Sequence, residues 1–335
     1  MPGPGDSTGA SLIQATIKRN FEPEVLRGDV RSVAAKQWED VDIFHAGFPC
    51  QSFAVAGQAR GVQDEQGQLP FLILEVVEVK RFPVIILENV KGLSTIHREL
   101  LDHICRALKK LEYEVHVKVL NARFSKLPQN RERLFVVAVR CDYVRKDQGK
   151  FVWPKDLPEV NVADFLDPAD SKGGDVSRKL PPHSQTTSRA HVKEAYKKVK
   201  AQGLQPSQTP MSINAGGSSM HMMYNCCPCV TRARAGSGGF WVSTRGRYTS
   251  VQELQRFMGI GVAVPKGWVE TTIHKPSDVS DRQWRQLVGN AIPINLLQRV
   301  LVAVTQYARL GMPRLEDKLA DWSGRRAGRA HVSRM

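Results

Sequence analysis

Three short segments of this 335-residue chain carry residue types that could do chemistry together. Residues 47–51 read Gly-Phe-Pro-Cys-Gln, so that Cys50 lies on a loop stiffened by proline, directly after an apolar run. Residues 88–90 read Glu-Asn-Val and end a second apolar run. Residues 129–133 read Gln-Asn-Arg-Glu-Arg and open a further predicted strand. A lone cysteine is more often a buried structural residue, so the interpretation of Cys50 depends on its neighbours.

A thiol, a carboxyl group and two guanidinium groups suit the methylation of cytosine at carbon 5. That carbon is a poor nucleophile, but a thiolate added to carbon 6 turns the ring into an enamine that attacks an electrophilic methyl group. The ring accepts the thiolate when a carboxylic acid protonates N3, and arginines lower the pKa of the thiol and stabilise developing charge. A cysteine hydrolase would instead need a histidine base, and the nearest histidines, His45 and His97, have no partner pattern.

An α/β fold must position these segments, because short apolar runs alternate with helical patterns. Strands are predicted at residues 41–46, 84–88, 114–120 and 134–140, and helices at 69–79, 96–111, 248–259 and 283–304. The order in the first half predicts a mostly parallel sheet with helices on both faces and its chemistry at the carboxyl ends of strands. Cys50 and Glu88 would then be neighbours. Residues 170–246 have little periodicity and read as an irregular, basic segment.

Net charge, the length of apolar runs and the spacing of cysteines restrict the classes of protein to which this chain could belong. The formal net charge of +15 indicates a polyanionic partner, most simply nucleic acid, without distinguishing DNA from RNA. No run approaches the roughly 18 apolar residues of a membrane span, and residues 1–10 do not resemble a signal peptide, so we expect an intracellular protein. The six cysteines show no disulfide spacing. Cys226, Cys227 and Cys229 suggest zinc, but no second ligand pair stands nearby at zinc-finger spacing, so we predict no metal.

The three segments, in this order, resemble the DNA (cytosine-5)-methyltransferase family. Residues 120–128, 253–259 and 286–293 also resemble family motifs, the last reading Gln-Leu-Val-Gly-Asn-Ala-Ile-Pro, and the resemblance covers roughly residues 13–305. It implies a Rossmann-like class I methyltransferase sheet with a small irregular target-recognition domain. It also implies S-adenosylmethionine as cofactor, DNA as partner and a monomer, in the nucleus of a eukaryote or the cytoplasm of a bacterium.

The resemblance implies a role for each matching residue. Cys50 would be the nucleophile, Glu88 the acid that protonates N3, and Arg131 and Arg133 the groups that hold the cytosine and its backbone. The residues that would surround the cofactor are Asp29, Val30, Phe48, Pro49, Leu69 and Asn290, with Asp29 on the adenine amine. The residues that would meet the substrate or brace its loop are Gln51, Asn89, Gln129, Arg232 and Arg234. Arg245 and Arg247 are further candidates for contacts with phosphate or guanine.

The resemblance also divides the chain. Residues 1–150 would be the catalytic domain, residues 151–246 the target-recognition segment, residues 247–308 a return to the catalytic domain, and residues 309–335 a basic tail. The family's first strand and cofactor loop, roughly D-x-F-x-G-x-G-G, have no counterpart here. We expect that about 30 residues are missing, the usual length of one strand, loop and helix, and that residues 1–335 bind the cofactor weakly. Gln66 stands where the family's mobile loop usually carries arginine.

Two other functions stay open from the sequence. An RNA cytosine-5 methyltransferase could use the same fold, although the Cys-Phe-Thr tripeptide of the family's transfer-RNA branch does not occur. A non-catalytic nucleic-acid-binding remnant would explain the missing cofactor loop, whereas the presence of Cys50, Glu88, Arg131 and Arg133 argues against it.

Overall fold

The computed structural model describes residues 7–48, 68–147, 149–169, 176, 179–261 and 272–319. The predictions for Pro49, Cys50, Gln51 and Gln66 lie outside these residues. The helices are α1 (Ser7–Asn20), α2 (Leu69–Lys80), α3 (Gly92–Thr95), α4 (Arg98–Lys110), α5 (Thr186–Ala201), α6 (Arg232–Gly236), α7 (Val251–Phe257), α8 (Asp281–Asn290) and α9 (Ile294–Tyr307). The strands are β1 (Ile43–Gly47), β2 (Val84–Val90), β3 (Tyr113–Asn121), β4 (Glu132–Arg140), β5 (Met211–Asn214), β6 (His221–Tyr224), β7 (Trp241–Val242) and β8 (Arg247–Tyr248).

The first sheet has the strand order β1-β2-β4-β3. Only β1 and β2 pair in parallel, while β4 runs antiparallel to both of its neighbours. The prediction of a mostly parallel sheet is therefore wrong for the described residues, because β3 and β4 form a hairpin-like pair that reverses direction. In the part of the chain that the structure describes, β1 is an edge strand whose only strand partner is β2.

Helices cover both faces of this sheet, as the apolar pattern predicts. The strand β2 is buried on both sides, so its successive residues enter two different cores. Ile85 and Leu87 pack in the core that includes residues of α2 and α4. Val84 and Ile86 pack in the core that includes Val300 of α9. Three layers result, with the carboxyl ends of β1 and β2 at one edge.

A second sheet lies where the sequence predicts an irregular segment, so that prediction is wrong. Its strand order is β6-β5-β7-β8, and every pair is antiparallel. The helix α5 packs on it through an apolar core that includes Val192, Val199 and Ile213. The indole of Trp241 in β7 donates a hydrogen bond of 3.0 Å to the hydroxyl of Tyr196 in α5. Strands of two to four residues are too short to show a period of two, which is why the sequence does not reveal them.

The predicted helix at residues 283–304 is two helices, α8 and α9, separated at residues 291–293. Ser280 caps α8 by accepting from the backbone N–H of Gln283, whose side chain accepts in return from the Ser280 backbone. The stretch Asp281–Tyr307 is long and apolar enough for a membrane span by length and composition alone. Half of its most apolar part is buried inside the protein, and the core helices of soluble proteins meet the same criterion.

Candidate active site

The carboxyl ends of β1 and β2 bring the first two predicted segments together. In the parallel register, Gly47 is paired with Glu88. A Cβ atom at Gly47 would lie 3.3 Å from Oε2 of Glu88, so glycine allows the carboxylate to approach the end of β1 closely. Cys50 follows Gly47 by three positions in the sequence. Its thiol lies outside the described residues, but the strand that leads to it ends beside the carboxyl group of Glu88.

Glu88 and Arg133 form an ion pair at this edge. Nε of Arg133 lies 2.9 Å from Oε1 of Glu88, and both side chains are only 12% exposed. The antiparallel pairing of β2 with β4 places Arg133 opposite Val90, two residues beyond Glu88 on the same face of the sheet. Arg133 also donates a 2.7 Å hydrogen bond to the carbonyl oxygen of Glu132. The structure thus brings two of the predicted site residues, Glu88 and Arg133, into contact, while the predicted hold of Arg133 on the cytosine stays a prediction.

Burial and the neighbouring arginines act on the pKa of Glu88 in opposite directions, and the net effect is a raised pKa. Burial raises the pKa of this carboxyl group above its ordinary value, while the positive charges of Arg133 and Arg131 and the bond to Arg133 act in the opposite direction. Burial is the larger effect, because removing a carboxylate from water costs more here than its partners return. A carboxyl group with a raised pKa is suited to donate a proton at neutral pH.

Asn89 braces the loop that carries Cys50. Its Nδ2 donates a 2.7 Å hydrogen bond to the carbonyl oxygen of Phe48, the last described residue before the loop. Its Oδ1 accepts a 2.8 Å hydrogen bond from the backbone N–H of Val90, and the side chain is buried. The amide therefore has fixed partners on both sides, and it joins the end of β2 to the entry of the loop.

Arg131 makes contacts that differ from the predicted hold on the cytosine. Its Nη1 donates to the carbonyl oxygen of Val230 at 2.6 Å, and its Nη2 to that of Ala291 at 2.9 Å. Longer contacts of 3.4 Å join it to the carbonyl oxygen of Gly289 and to Sγ of Cys229. The side chain is 2% exposed. Arg131 thus positions the segment before α6 and the end of α8, and its contact with the cytosine stays a prediction.

Gln129 is likewise enclosed by protein. Its Nε2 donates to the carbonyl oxygen of Phe257 at 2.9 Å, and its Oε1 accepts from the backbone N–H of Val230 at 2.9 Å. The residue is 0% exposed. The structure therefore does not support the predicted contact with the substrate, because both ends of the amide are engaged within the fold.

Predicted cofactor residues line a cavity next to this edge. The cavity has a volume of about 360 Å³, and Val30, Phe48 and Leu69 are among its largely apolar walls. The volume falls within the range of small-molecule pockets. Trp38 also lines the cavity, and its buried indole N–H has no hydrogen-bond partner among the described residues. A ligand with an acceptor atom fits this donor, and Trp38 is a functional candidate that the sequence motifs did not identify.

The remaining predicted cofactor residues lie outside this wall. Asp29 caps a short 3-10 helix by accepting from the backbone N–H of Arg31, and its carboxylate also pairs with the Arg31 guanidinium at 2.5 Å. The hydrogen bonds from Arg31 lower the pKa of Asp29, so it stays ionised. Asn290 is exposed at the end of α8. Neither residue lines the cavity, so their contacts with the cofactor stay predictions.

The arginines on α6 and around β8 fall into two groups, according to whether they are bonded to other residues of the protein or lie at its surface. Arg247 pairs through two nitrogens with the fully buried Glu253, at 2.8 and 2.9 Å, and Arg245 donates to the carbonyl oxygen of Asp167 at 2.8 Å. These bonds indicate a structural role for both arginines, in contrast to the predicted contact with phosphate or guanine. Arg232 is exposed and Arg234 half-buried on α6.

The three cysteines near Arg131 are structural in the described fold. Burial raises the pKa of Cys226 to about 11 and raises the pKa of Cys227 still further above its usual value. Both thiols therefore stay protonated. Among the described residues, no group of histidine, cysteine and acidic side chains is arranged to hold a metal ion.

Comparison with known proteins shows which family this chain is similar to. The model of the family described as C-5 cytosine-specific DNA methylase matches residues 8–306. The type II methyltransferase M.DsaV of Dactylococcopsis salina is 29% identical over 92% of this chain and 81% of that protein. The type II methyltransferase M.HhaI of Haemophilus parahaemolyticus is 28% identical over 86% of this chain and 82% of that protein.

A shorter match is to the orphan methyltransferase M.SPRI of Bacillus phage SPR, 33% identical over 43% of this chain and 32% of that protein. The match to M.SPRI thus covers less than two thirds of that relative's length, unlike those to M.DsaV and M.HhaI. Among solved structures, the S. pombe Dnmt2 methyltransferase has a TM-score of 0.58 and 17% identity, covering 87% of each chain. The Entamoeba histolytica methyltransferase EhMeth has a TM-score of 0.55 and 14% identity, covering 89% of this chain and 86% of that one. At these identities the likeness shows the fold alone, and it confirms the predicted methyltransferase sheet.

Proposed function

This chain belongs to the C-5 cytosine-specific DNA methylase family, and we propose that it transfers a methyl group from S-adenosylmethionine to carbon 5 of cytosine in DNA. The observation that carries the proposal is the position of the Glu88 carboxyl group at the carboxyl ends of β1 and β2. There, Glu88 is held by Arg133 and faces the strand that leads to Cys50. A buried acid beside a cysteine loop is the arrangement that a pyrimidine ring needs for nucleophilic addition.

In this proposal Cys50 is the nucleophile. Its thiolate forms a bond to carbon 6 of the cytosine, and the electron pair of the ring moves toward carbon 5. Carbon 5 would then take the methyl group as the bond between that group and the donor sulfur breaks, and afterwards lose its proton to solvent, while N3 would return its proton to Glu88. The bond between Sγ and carbon 6 breaks as the ring recovers its double bond, so Cys50 leaves as a thiolate. The base must leave the duplex to reach this loop.

Glu88 supplies the proton that makes the addition possible. Burial raises the pKa of the Glu88 carboxyl group, which makes it a better-matched acid for the protonation of N3 as the thiolate adds. Nε of Arg133 lies 2.9 Å from Oε1 of Glu88 and so fixes that oxygen. The other carboxyl oxygen, Oε2, lies nearer Gly47, at the end of the strand that leads to Cys50. Arg133 thereby orients the acid and stabilises its conjugate base after the proton has moved.

The apolar cavity beside β1 fits the adenosine part of the cofactor. S-adenosylmethionine supplies the electrophilic methyl group when bound. Val30, Phe48 and Leu69 would pack against its purine ring, and the Trp38 indole N–H would donate to an acceptor on the ligand. The hydrogen bond from Nδ2 of Asn89 to the carbonyl oxygen of Phe48 holds this residue in place. One side chain therefore fixes both a wall residue of the cavity and the end of the chain segment that leads to Cys50.

Transfer of tritiated methyl groups tests the proposal. Purified chain, with S-adenosylmethionine at saturating concentration, should label duplex DNA at carbon 5 of cytosine, and the Cys50→Ala variant should give no label. A transfer RNA pool offered at equal cytosine concentration is the comparison. Label in RNA but not in DNA would replace this proposal by the RNA alternative, and no label in either would favour a non-catalytic binding protein.

A further inference from the structure

The apolar cavity beside β1 offers few polar groups to a ligand, and one of them is the indole N–H of Trp38. The wall that α2 provides is apolar and includes Leu72 and Val76. Nε1 of Trp38 is buried and has no hydrogen-bond partner among the described residues. The indole packs edge to face on Phe44, with 5.8 Å between the ring centroids, and this contact restricts its position. Buried donors without a partner cost free energy, so a ligand with an acceptor atom would stabilise this site.

The backbone of β1 supplies further polar groups, on the edge that faces away from β2. The carbonyl oxygen of Asp42 accepts from the backbone N–H of Val84 at 3.1 Å, so this residue and every second one after it face β2. Ile43, His45 and Gly47 therefore turn their N–H and C=O groups toward the other edge. These groups make no hydrogen bond with any residue that the structure describes. His45 and Gly47 line the cavity, so their backbone groups are open to a ligand there.

The C=O of His45 and the N–H of Gly47 are neighbours on this edge. In a parallel ladder, the C=O of one residue and the N–H of the second residue after it bond to the N–H and C=O of a single residue on the next strand. The edge therefore suits a flat group that carries a donor directly beside an acceptor. The adenine base carries such a pair, its N6 amine and N1. Hypoxanthine and guanine carry the reverse order, the acceptor O6 beside the donor N1–H.

The residue to which the family resemblance assigns the adenine amine is engaged elsewhere. The carboxylate of Asp29 accepts from the backbone N–H of Arg31 at 3.0 Å and from Nε of the same residue at 2.9 Å. Asp29 does not line the cavity. A base that enters this cavity therefore meets Trp38 and the edge of β1 instead of the Asp29 carboxylate.

We propose that this cavity selects an adenine base through three groups: the Gly47 N–H donates to N1, the His45 carbonyl oxygen accepts from the N6 amine, and the Trp38 indole N–H donates to N3 or N7. This inference rests on the proposed use of S-adenosylmethionine, and it names the groups that recognise the base of that cofactor. The walls around the three groups are largely apolar, so a base with mismatched donors and acceptors leaves polar atoms unpaired and binds more weakly.

Binding of adenosine and its deaza analogues tests this assignment without any need for methyl transfer. The analogues are 1-deazaadenosine, 3-deazaadenosine and 7-deazaadenosine, each with one ring nitrogen replaced by C–H. Ligand-observed NMR on the purified chain measures the dissociation constants, and displacement by S-adenosylhomocysteine shows which signal comes from the cofactor cavity. The variants are Trp38→Phe, which keeps an aromatic ring but loses the N–H, and Trp153→Phe, the same exchange at a tryptophan that packs on Phe151 outside the cavity. Denaturation curves identify any variant that has lost its fold.

The wild-type chain should bind 1-deazaadenosine about tenfold or more weakly than adenosine, and one of the other two analogues more weakly by a similar factor. Trp38→Phe should weaken adenosine by about tenfold but leave the affinity for that second analogue nearly unchanged, because both changes remove the same hydrogen bond. Trp153→Phe should bind all four ligands as the wild-type chain does.

Two results would overturn the assignment: equal affinities of the wild-type chain for adenosine and 1-deazaadenosine, or an equal effect of Trp38→Phe on all four ligands. Either result, in a chain that binds S-adenosylhomocysteine, leaves the proposed function standing. Weak binding of every ligand raises the dissociation constants together and does not alter their ratios. Failure of the wild-type chain to bind S-adenosylhomocysteine at all would instead contradict the proposed function.

Discussion

Replacing Gly289 by alanine should push the end of α8 away from the start of α6. A Cβ atom at this position would lie 2.6 Å from both the carbonyl carbon and the carbonyl oxygen of Thr231, and 2.7 Å from the backbone nitrogen of Arg232. These are backbone atoms, so no rotamer change can relieve the contact. The end of α8 must move away from the start of α6 by roughly 0.8 Å to restore ordinary van der Waals distances of about 3.5 Å.

The energetic cost follows from the contacts at this point. Overpacking typically costs about 1–3 kcal/mol, and the helix propensity of alanine returns up to about 1 kcal/mol. The movement also stretches the bonds from Arg131 to the carbonyl oxygens of Val230 and Ala291; a complete charged bond is worth about 1.5–3 kcal/mol, so weakening the two adds about 2 kcal/mol together. We expect a net loss of about 2–4 kcal/mol in the free energy of unfolding, from these terms together.

Urea denaturation, followed by circular dichroism, measures this loss. With a slope near 3 kcal/mol per molar urea, the midpoint should fall by roughly 0.7–1.3 M. Gly236→Ala is the matched comparison, because its Cβ would meet only the side chain of Gln286, at 2.7 Å, which can move. Gly311→Ala is the control, since nothing lies within 4 Å of its Cβ position. Equal midpoints for Gly289→Ala and Gly311→Ala would refute the reasoning.

Four further results are expected. Glu88→Gln should keep DNA affinity but slow methyl transfer by roughly 100-fold or more in single-turnover assays; an unchanged rate would remove the acid from the account. Burial raises the pKa of Glu88 in the folded protein, so its contribution to the free energy of unfolding is present at low pH and is lost as the pH rises through that pKa. The urea midpoint of the wild-type chain should therefore fall over this pH range, and Glu88→Gln should remove that fall. Asn89→Ala should lower the rate of methyl transfer without weakening DNA binding, since the Phe48 carbonyl loses the hydrogen bond from the Asn89 amide; Asn161→Ala, which removes a half-buried asparagine that accepts from the backbone N–H of Ala163, controls for a general loss of stability. DNA affinity should fall steeply between low and moderate salt, as the net charge of +15 requires, and a flat titration would contradict this.

The sequence predicts the positions of the four strands of the first sheet because their patterns are strong, but not the antiparallel direction of β4. The run at residues 84–87 is apolar, and Glu88 at its end needs only the parallel register with β1 to lie opposite Gly47. The position of Glu88 beside the Cys50 loop follows from that register. The second sheet could not be predicted in this way, because β7 and β8 contain two residues each, and they are strands only through the pairing of β7 with β5 and of β8 with β7.

The roles of individual polar residues are harder to predict than the elements. Arg131 and Arg133 stand two positions apart, which suggests the same side of one strand. However, β4 begins at Glu132, so only Arg133 lies within the sheet and reaches Glu88. Arg131 lies before the strand, where the chain bonds to residues of the second half. Such long-range partners leave no periodic signal.

The central claim, that Cys50 adds to carbon 6 of cytosine, has a direct test that does not depend on the cofactor. Reversible addition of the thiolate makes carbon 5 basic, so its hydrogen exchanges with water while the adduct exists. Duplex DNA that carries tritium at carbon 5 of cytosine should therefore release tritium when it is incubated with the chain alone. Cys50→Ser, a variant that keeps the size of the side chain, should release none above background. Equal release by the variant, or no release by the wild-type chain at concentrations that saturate DNA binding, would contradict the covalent mechanism.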